Sequence, residues 1–367
     1  MTKGKNVLDL SMEEIKGLGA KIKDVALDNK VIDINVGINL GNLLTKTWGP
    51  DSKHELFYTT ATKVIGELSM EEIQADETLI TVDGELYRIG LQSSSSGNFS
   101  QRNHDELVVV GVYAIARQLF ALNKKNLTST GNSKYRLCCA KIGLGLSVND
   151  YNIKANQIKL LEMFNNKNFT VEYMKAKTII NVEVMNIVQE GHCHVRFHSQ
   201  EYKYSEVALF DLGSRTLDYS RFVLDSIRNK NVIAEKESLD NAGTLSIMKQ
   251  IMKIIGTKKV KLLDVEPILQ GETIDVDGTQ YSLQDFDDVI NKTISNTINS
   301  LQDIVDVEFG TVKAIVLIGG GARLMQSVFE DMYPGKKIII PSNPQYLNAE
   351  AYYIASHKKR NFKKLYE

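Results

Sequence analysis

The chain has 367 residues, 43% of them apolar, enough to bury one large core or two of ordinary size, and two domains are expected. Its 44 basic and 45 acidic residues leave a net charge of −1, so no global field draws it to nucleic acid or an anionic membrane, and any DNA contact is expected to be indirect. Cys138, Cys139 and Cys193 are an odd set with two adjacent, which excludes a disulfide framework and points to a reducing, cytoplasmic setting. The N-terminus lacks the apolar run of a signal peptide, and the most apolar stretch, Leu107 to Leu122, is interrupted by Arg117 and Gln118 and is too short to span a bilayer.

Residues 1–30 read as an appendage with helical spacing at Met12, Ile15, Ile22, Val25 and Ala26 and a capping-box pair Ser11/Glu14. The hexapeptide Leu-Ser-Met-Glu-Glu-Ile occurs at Leu10 and again at Leu68, but nothing around the two copies repeats, and the match is treated as coincidence. From Val31 the pattern turns to strands, Val31 to Leu40 and Leu43 to Trp48, then Thr78 to Val82 and Glu85 to Leu91 joined at Asp83-Gly84, a strong hairpin signal. The polar loop Gln92 to Asn98 precedes a helix over Asp105 to Leu122. Tyr135 to Ser147 suits a strand buried on both faces, and Asn152 to Phe164 an amphipathic helix. A second cycle of strand, turn and helix is read from Lys177: strands Thr178 to Val188 and Val207 to Leu212, helices Ala242 to Ile255 and Leu283 to Leu301, and the strand Ala314 to Ile318. Two cycles of alternating strands and helices predict an α/β chain of two doubly wound domains with a ligand cleft.

Three glycine-containing strand ends carry the chemistry. Ala208 to Tyr219 sets Asp211 at the end of a buried strand, followed at once by Gly213 and small or polar residues; glycine lets backbone N–H groups approach phosphate oxygens, and a carboxylate beside it suits a hydrated divalent cation. Alone, this pattern is as compatible with a plain hairpin. Ala314 to Arg323 is a buried strand entering Gly319, Gly320 and Gly321 and then a helix, an arrangement that offers N–H groups to an anion or a flat face to a base. Val36 to Lys46 is a strand, a glycine turn and a second strand, with Lys46 able to reach back toward a phosphate.

In this order the third, first and second of these segments resemble the first phosphate loop, the second phosphate loop and the adenosine motif of the actin, Hsp70 and sugar-kinase superfamily. Within it the sequence is similar to the ParM/StbA group of plasmid-segregating actin homologues from about Val31 to about Ala355, through the hairpin Thr81 to Gly90, the segment Lys141 to Tyr151 and the closing segment Pro344 to Tyr352. The resemblance implies an actin-like fold of two ribonuclease-H-like domains around a nucleotide cleft: residues 1–30 an extension, 31–188 domain I completed by a C-terminal helix over 346–367, and 189–345 domain II. It implies ATP or GTP with magnesium as ligands. Asn39, Gly41, Asn42 and Lys46 fall on the first phosphate loop, Asp211 on the magnesium shell, Gly213, Ser214, Arg215 and Thr216 around the β- and γ-phosphates, with Asp218 in the same motif, and Gly319, Gly320 and Gly321 under the nucleoside and α-phosphate. The residue that orients the attacking water falls in Val188-Gln-Glu-Gly191; Glu190 is assigned to it, with Gln189 in reserve and a solvated turn residue as the bland alternative. The implied partners are copies of the chain itself in a filament, and a ParR-type DNA-binding adaptor on a plasmid centromere, with no direct nucleic-acid contact and no membrane span.

Two positions of the first phosphate loop depart from the family pattern, Asn39 where the family has Asp and Leu43 where a second glycine is common, and Ser147 stands where Pro is usual in the segment Lys141 to Tyr151. Asp33, six residues before Asn39, cannot substitute without losing Lys46. His192, His194 and His198 share one face of any strand, with Cys193 on the other, which admits zinc, but solvated or packed histidines are the simpler reading. Lys358, Lys359, Arg360, Lys363 and Lys364 are expected to form a solvated basic tail. A filament-forming nucleotidase is the leading expectation; a non-polymerising kinase or phosphatase of the same superfamily, or a scaffold that binds nucleotide without turning it over, are the rivals.

Overall fold

A computed structural model describes residues 26–366 except 67, 91–98, 128–133, 192–205, 228 and 306–307. Of the appendage expected over residues 1–30, residues 1–25 lie outside the described residues, as do the loop Gln92 to Asn98 and the histidine cluster; residues 26–30 are strand and not helix, the start of the long strand that runs to Leu40. The chain divides into two compact units: one comprises the chain up to Leu146, Asp150–Val188 and Ala349–Glu367, the other Ser147–Asn149 and Gln189–Asn348.

In the first unit the elements are β1 (Ala26–Leu40), β2 (Leu44–Trp48), β3 (His54–Tyr58), β4 (Ala61–Lys63), α1 (Met70–Ala75), β5 (Leu79–Val82), β6 (Glu85–Ile89), α2 (His104–Leu127), β7 (Lys134–Leu146), α3 (Val148–Asn152, of which Val148 and Asn149 belong to the second unit), α4 (Lys154–Phe164), β8 (Lys167–Tyr173) and β9 (Ala176–Gln189). The nine strands form one sheet in the order β3-β2-β1-β7-β9-β8-β5-β6-β4. β1 pairs antiparallel with β2 and parallel with β7, and its alternate residues Ile34, Val36 and Ile38 are buried beside Cys138, Ala140, Ile142 and Leu144 of β7. On β1 the alternation leaves Asp33 exposed on the other face, whereas β7 is buried almost continuously from Leu137 to Leu146, as a strand covered on both faces is. The Asp83-Gly84 hairpin forms as expected between β5 and β6. At α1 the second Leu-Ser-Met-Glu-Glu-Ile copy has a physical meaning the repeat did not suggest: Ser69 Oγ accepts from Glu72 N at 3.2 Å and Glu72 Oε2 accepts from Ser69 N at 2.8 Å, a complete capping box.

The second unit contains β10 (Glu206–Leu212), β11 (Leu217–Asp225), β12 (Lys230–Leu239), α5 (Thr244–Ile255), α6 (Glu266–Leu269), β13 (Ile274–Val276), β14 (Thr279–Tyr281), α7 (Asp287–Gln302), β15 (Ala314–Ile318), α8 (Ala322–Met332) and β16 (Lys337–Ile339). Its sheet runs β12-β11-β10-β15-β16, antiparallel through β10 and β11 to β12 and parallel through β10 and β15 to β16. Val207, Leu209, Val316 and Ile318 pack together on one face, while Phe210, Tyr219, Phe309 and Phe329 stack on the other with ring centroids 4.7–5.3 Å apart. α5 supplies Ile247, Met248, Ile251 and Ile255 at helical spacing, and α7 supplies Ile290, Ile294, Ile298 and Leu301. The second cycle therefore opens at β10 and not near Lys177; β9 lies between β7 and β8 in the first sheet, because its residues are apolar on both faces and fit only a central position.

The last helix, α9 (Leu347–Ser356), takes its first two residues from the second unit and the rest from the first. A Cβ on Gly143 would lie 2.0 Å from the Tyr352 carbonyl oxygen, and one on Gly37 would lie 2.0 Å from that of Ala349. The helix backbone thus touches β1 and β7 directly, and backbone cannot swing aside as a side chain can. Gly143→Ala is expected to destabilise the protein by about 1–3 kcal/mol, the range of overpacking a tight core, read as a lower denaturant midpoint. An unchanged midpoint would mean that α9 does not rest on β7.

The basic tail is not simply solvated. Arg360 donates from Nη1 to the Ile187 carbonyl at 2.9 Å and to Tyr151 Oη at 3.2 Å, its backbone N–H donates to Met185, and Lys359 pairs with Glu183. The first basic residues after α9 therefore dock on the carbonyls and the Glu183 carboxylate of β9, while Lys358, Lys363 and Lys364 stay exposed.

Candidate functional site

The β10–β11 connection is a four-residue turn, Gly213 to Thr216, closed by Gly213 N to Thr216 O at 3.0 Å. Its carbonyls are consumed by the start of α5: Gly213 O accepts from Thr244 N, Ser214 O from Leu245 N and Arg215 O from Gly243 N, at 3.0, 2.8 and 2.8 Å. A planar trans peptide aims its N–H opposite to its C=O. The N–H groups of Ser214, Arg215 and Thr216 therefore all point away from α5, three consecutive donors in one direction, which is the elementary form of an anion nest. The turn depends on close contact at its rear, where a Cβ on Gly243 would fall 2.5 Å from Ser214 and Arg215 backbone.

Beside the turn stand two carboxylates. Asp211 and Asp218 are cross-strand partners, 4% and 2% exposed. Asp218 accepts from Thr216 Oγ1 at 2.9 Å and from Val148 N at 3.3 Å. Burial, and next the charge of Asp211, push the Asp218 carboxyl up to about 7. Asp211 Oδ2 accepts from Asn348 Nδ2 at 2.6 Å, and Asn348 Oδ1 in turn accepts from Gly191 N at 2.9 Å. Among the described residues no three His, Cys, Asp or Glu side chains are grouped to hold a metal; two carboxylates are the donor set of an ion held largely by water and phosphate.

Gln189, Glu190 and Gly191 cross the same sheet face. Gln189 Oε1 accepts from Lys236 Nζ on β12 at 2.8 Å, while Gly191 lies over β10, its imagined Cβ 3.0 Å from Leu209 Cδ2 and 3.8 Å from Asp211 Cβ. Glu190 is half-buried at the middle of this crossing. Burial lowers the Lys236 ammonium below its ordinary value. Lys236 and Asn348 were not singled out from sequence; Asn348 lies in the closing segment that carried the family resemblance, without a role attached, and Lys236 has no local signal.

The glycines after β15 behave differently from the expectation that they offer N–H groups to a ligand. Gly319 N donates to Pro344 O and Gly321 N to Leu212 O, both at 3.0 Å, so two of the three donors are spent inside the chain. What these glycines permit is close approach. At φ +86° a Cβ on Gly319 would sit 2.4 Å from Asp211 Oδ1, and one on Gly321 would sit 2.4 Å from Leu212 Cδ2. Gly320 is exposed, with nothing within 4 Å of its Cβ direction.

On the first unit, the β1–β2 turn pairs Asn39 with Lys46, and a Cβ on Gly41 would lie 3.6 Å from Lys46 Nζ, so the lysine does reach back over the turn. Gly41 and Asn42 form its corner. Arg102, also unforeseen, clamps it from Nη1 to Leu40 O at 2.7 Å and from Nη2 to Gly41 O at 3.0 Å. Asn39 is 5% exposed, and its Oδ1 is a buried acceptor without a donor. Asp33 faces solvent six residues up the strand, about 20 Å away at the rise of a β-strand, and has no part in the turn. No helix among the described residues is long and apolar enough to cross a membrane.

Comparison with known proteins gives one family-model match, to the C-terminal part of the MreB-like archaeal actin homologues, over residues 209–331. A search of curated proteins finds no match. Solved structures similar to this one include ParM of a 15-stranded filament from Clostridium botulinum, with a TM-score of 0.68 at 16% identity over 89% of this chain and 99% of that one. An archaeal actin homologue in complex with ADP gives 0.60 at 18%, over 88% and 99%, and Bacillus thuringiensis ParM with AMPPNP gives 0.56 at 14%, over 88% and 98%. At these identities the likeness is one of backbone, and it agrees with the fold expected from the three glycine strand ends: the chain has the actin-like fold shared by ParM and the archaeal actin homologues.

Proposed function

We propose that this chain binds a nucleoside triphosphate with magnesium, hydrolyses it slowly, and assembles with copies of itself into filaments that act in DNA segregation through a separate DNA-binding adaptor. The observation that carries the nucleotide reading is the row of three N–H groups on Ser214, Arg215 and Thr216 beside the buried Asp211–Asp218 pair. Arg215 Nε, a buried donor without an acceptor, and Asn39 Oδ1, a buried acceptor without a donor, fit a phosphate oxygen and a metal-bound water respectively. Magnesium, when bound, supplies charge neutralisation on the phosphates and an ordered water shell. The turn N–H groups bind and orient the β- and γ-phosphates. Asp211, assisted by Asp218, would hold the metal; Glu190 would accept a hydrogen bond from the attacking water, a role less open to Gln189, whose Oε1 already accepts from Lys236. Gly320 leaves room for the nucleoside. Filament formation rests on the fold shared with a ParM filament, and self-association in the absence of a closed symmetry yields a helical polymer.

Light scattering and electron micrographs of the protein with magnesium and ATP, or GTP, test the proposal together with phosphate release. Polymer and phosphate are both expected; phosphate without polymer would favour a non-polymerising enzyme, and binding without either a scaffold.

The amide at Asn39 favours slow turnover, since it accepts a hydrogen bond but adds no charge for the metal. Asn39→Asp is nearly isosteric, so packing changes little. It is expected to speed phosphate release by about 10-fold, the scale of one outer-sphere metal contact, and to bring forward filament disassembly with the onset of assembly unchanged. Unchanged or slower release would remove Asn39 from the metal's surroundings.

A further inference from the structure

We propose that Asn348 is a positioning residue that holds the Asp211 carboxylate in one orientation and the Glu190–Gly191 turn against it, so that the metal-directed and water-directed carboxylates are set before nucleotide arrives. The inference rests on the nucleotidase reading above for the roles of Asp211 and Glu190, and on the geometry of Asn348 for everything else.

The Asn348 side chain is 7% exposed and uses both ends of its carboxamide: Nδ2 donates to Asp211 Oδ2 at 2.6 Å and Oδ1 accepts from Gly191 N at 2.9 Å. The bond to a carboxylate has the short length of a charge-assisted contact. Reversing the amide would oppose two acceptors at Asp211 and two donors at Gly191, so the arrangement admits one orientation only. No other residue type of this size both donates to a carboxylate and accepts from a backbone N–H at fixed spacing. The backbone of Asn348 is itself anchored, because Leu347 is 4% exposed in the cluster of Val207, Leu209, Val316 and Ile318. With Oδ2 engaged by Asn348, Oδ1 of Asp211 lies toward Gly319, where only a missing Cβ makes room. Gly191, at φ +69° and wedged on Leu209, is held by the same carboxamide, and Glu190 is its immediate neighbour. One side chain therefore ties the β10 end to the turn before it.

The test uses full-length N348A and N348D. In nucleotide-free protein, hydrogen exchange at the Gly191 amide is expected to accelerate by about 10-fold in N348A, the conversion of one lost hydrogen bond, and to stay near wild type in N348D, which retains the acceptor. In N348A the donor to Asp211 is gone, and in N348D a second carboxyl takes its place and either repels Asp211 or shares a proton with it, so in both variants the magnesium concentration for half-maximal phosphate release is expected to rise by about 10-fold or more, with nucleotide affinity, read with a fluorescent analogue, little changed. Wild-type exchange at Gly191 in N348A, or wild-type magnesium dependence in both variants, would overturn the proposal. If N348A does not fold, N348D carries the magnesium test alone. If wild-type protein releases no phosphate, the nucleotidase reading fails first, and the exchange experiment still decides whether Asn348 holds the turn.

Discussion

Asp211→Ala is expected to reduce phosphate release by about three orders of magnitude, the scale of removing a group that stabilises transition-state charge in a dry site, while the protein stays folded. The carboxylate is at the end of a strand whose neighbours Leu209 and Phe210 carry the packing on either face, so its loss takes little from the core. Its removal also relieves a repulsion. The Asp218 carboxyl is pushed from an ordinary value of 3.8 up to about 7 in the fold, with burial the larger cause and Asp211 the second. In that window the native state holds more protons than the unfolded chain, so stability is fullest below the ordinary value and falls as pH rises toward 7. Asp211→Ala should flatten this slope and leave the melting temperature at pH 7 unchanged or higher. Wild-type phosphate release in the variant would sink the assignment of the β10–β11 turn as a phosphate site; a collapsed melting transition would show that the pair is structural.

The second large effect is expected at Glu190. Glu190→Ala should slow hydrolysis by about 100-fold, the contribution of a positioned general base or water-orienting group, with nucleotide binding and assembly retained and filaments correspondingly longer-lived. In the proposed reading assembly follows nucleotide binding, for which the backbone donors of Ser214, Arg215 and Thr216 are available without Glu190. Gln189→Ala is the comparison. Its carboxamide accepts from a partly dehydrated lysine, Lys236, so its removal is expected to loosen the segment and cost less than Glu190 does. A single-turnover phosphate-release assay separates the two, and the reverse ranking would transfer the water-orienting role to Gln189.

How far these sites were legible in the sequence differs by element. The β5–β6 hairpin and β15 were readable to within two residues because their signals are local: Asp-Gly satisfies a left-handed turn, and five apolar residues before a glycine run suit a buried strand. The capping box at Ser69 was equally local but was passed over as part of a coincidental repeat. Strand periodicity put β9 in the second cycle, although the bounds implied by the resemblance kept it in domain I, because an apolar run specifies burial and not which sheet buries it.

Sequence alone determined the α/β class, the order of the three glycine strand ends and the candidate residues on them, since glycine, aspartate and strand periodicity act within a few positions of one another. Only the tertiary structure decided what those residues do to each other. It spends two of the three glycine N–H groups after β15 inside the chain, aims the three N–H groups of the β10–β11 turn outward by drawing its carbonyls onto α5, and brings Asn348 to Asp211 from 137 positions away. Hydrogen-bond partners so distant in the chain are set by packing, and no local propensity encodes them.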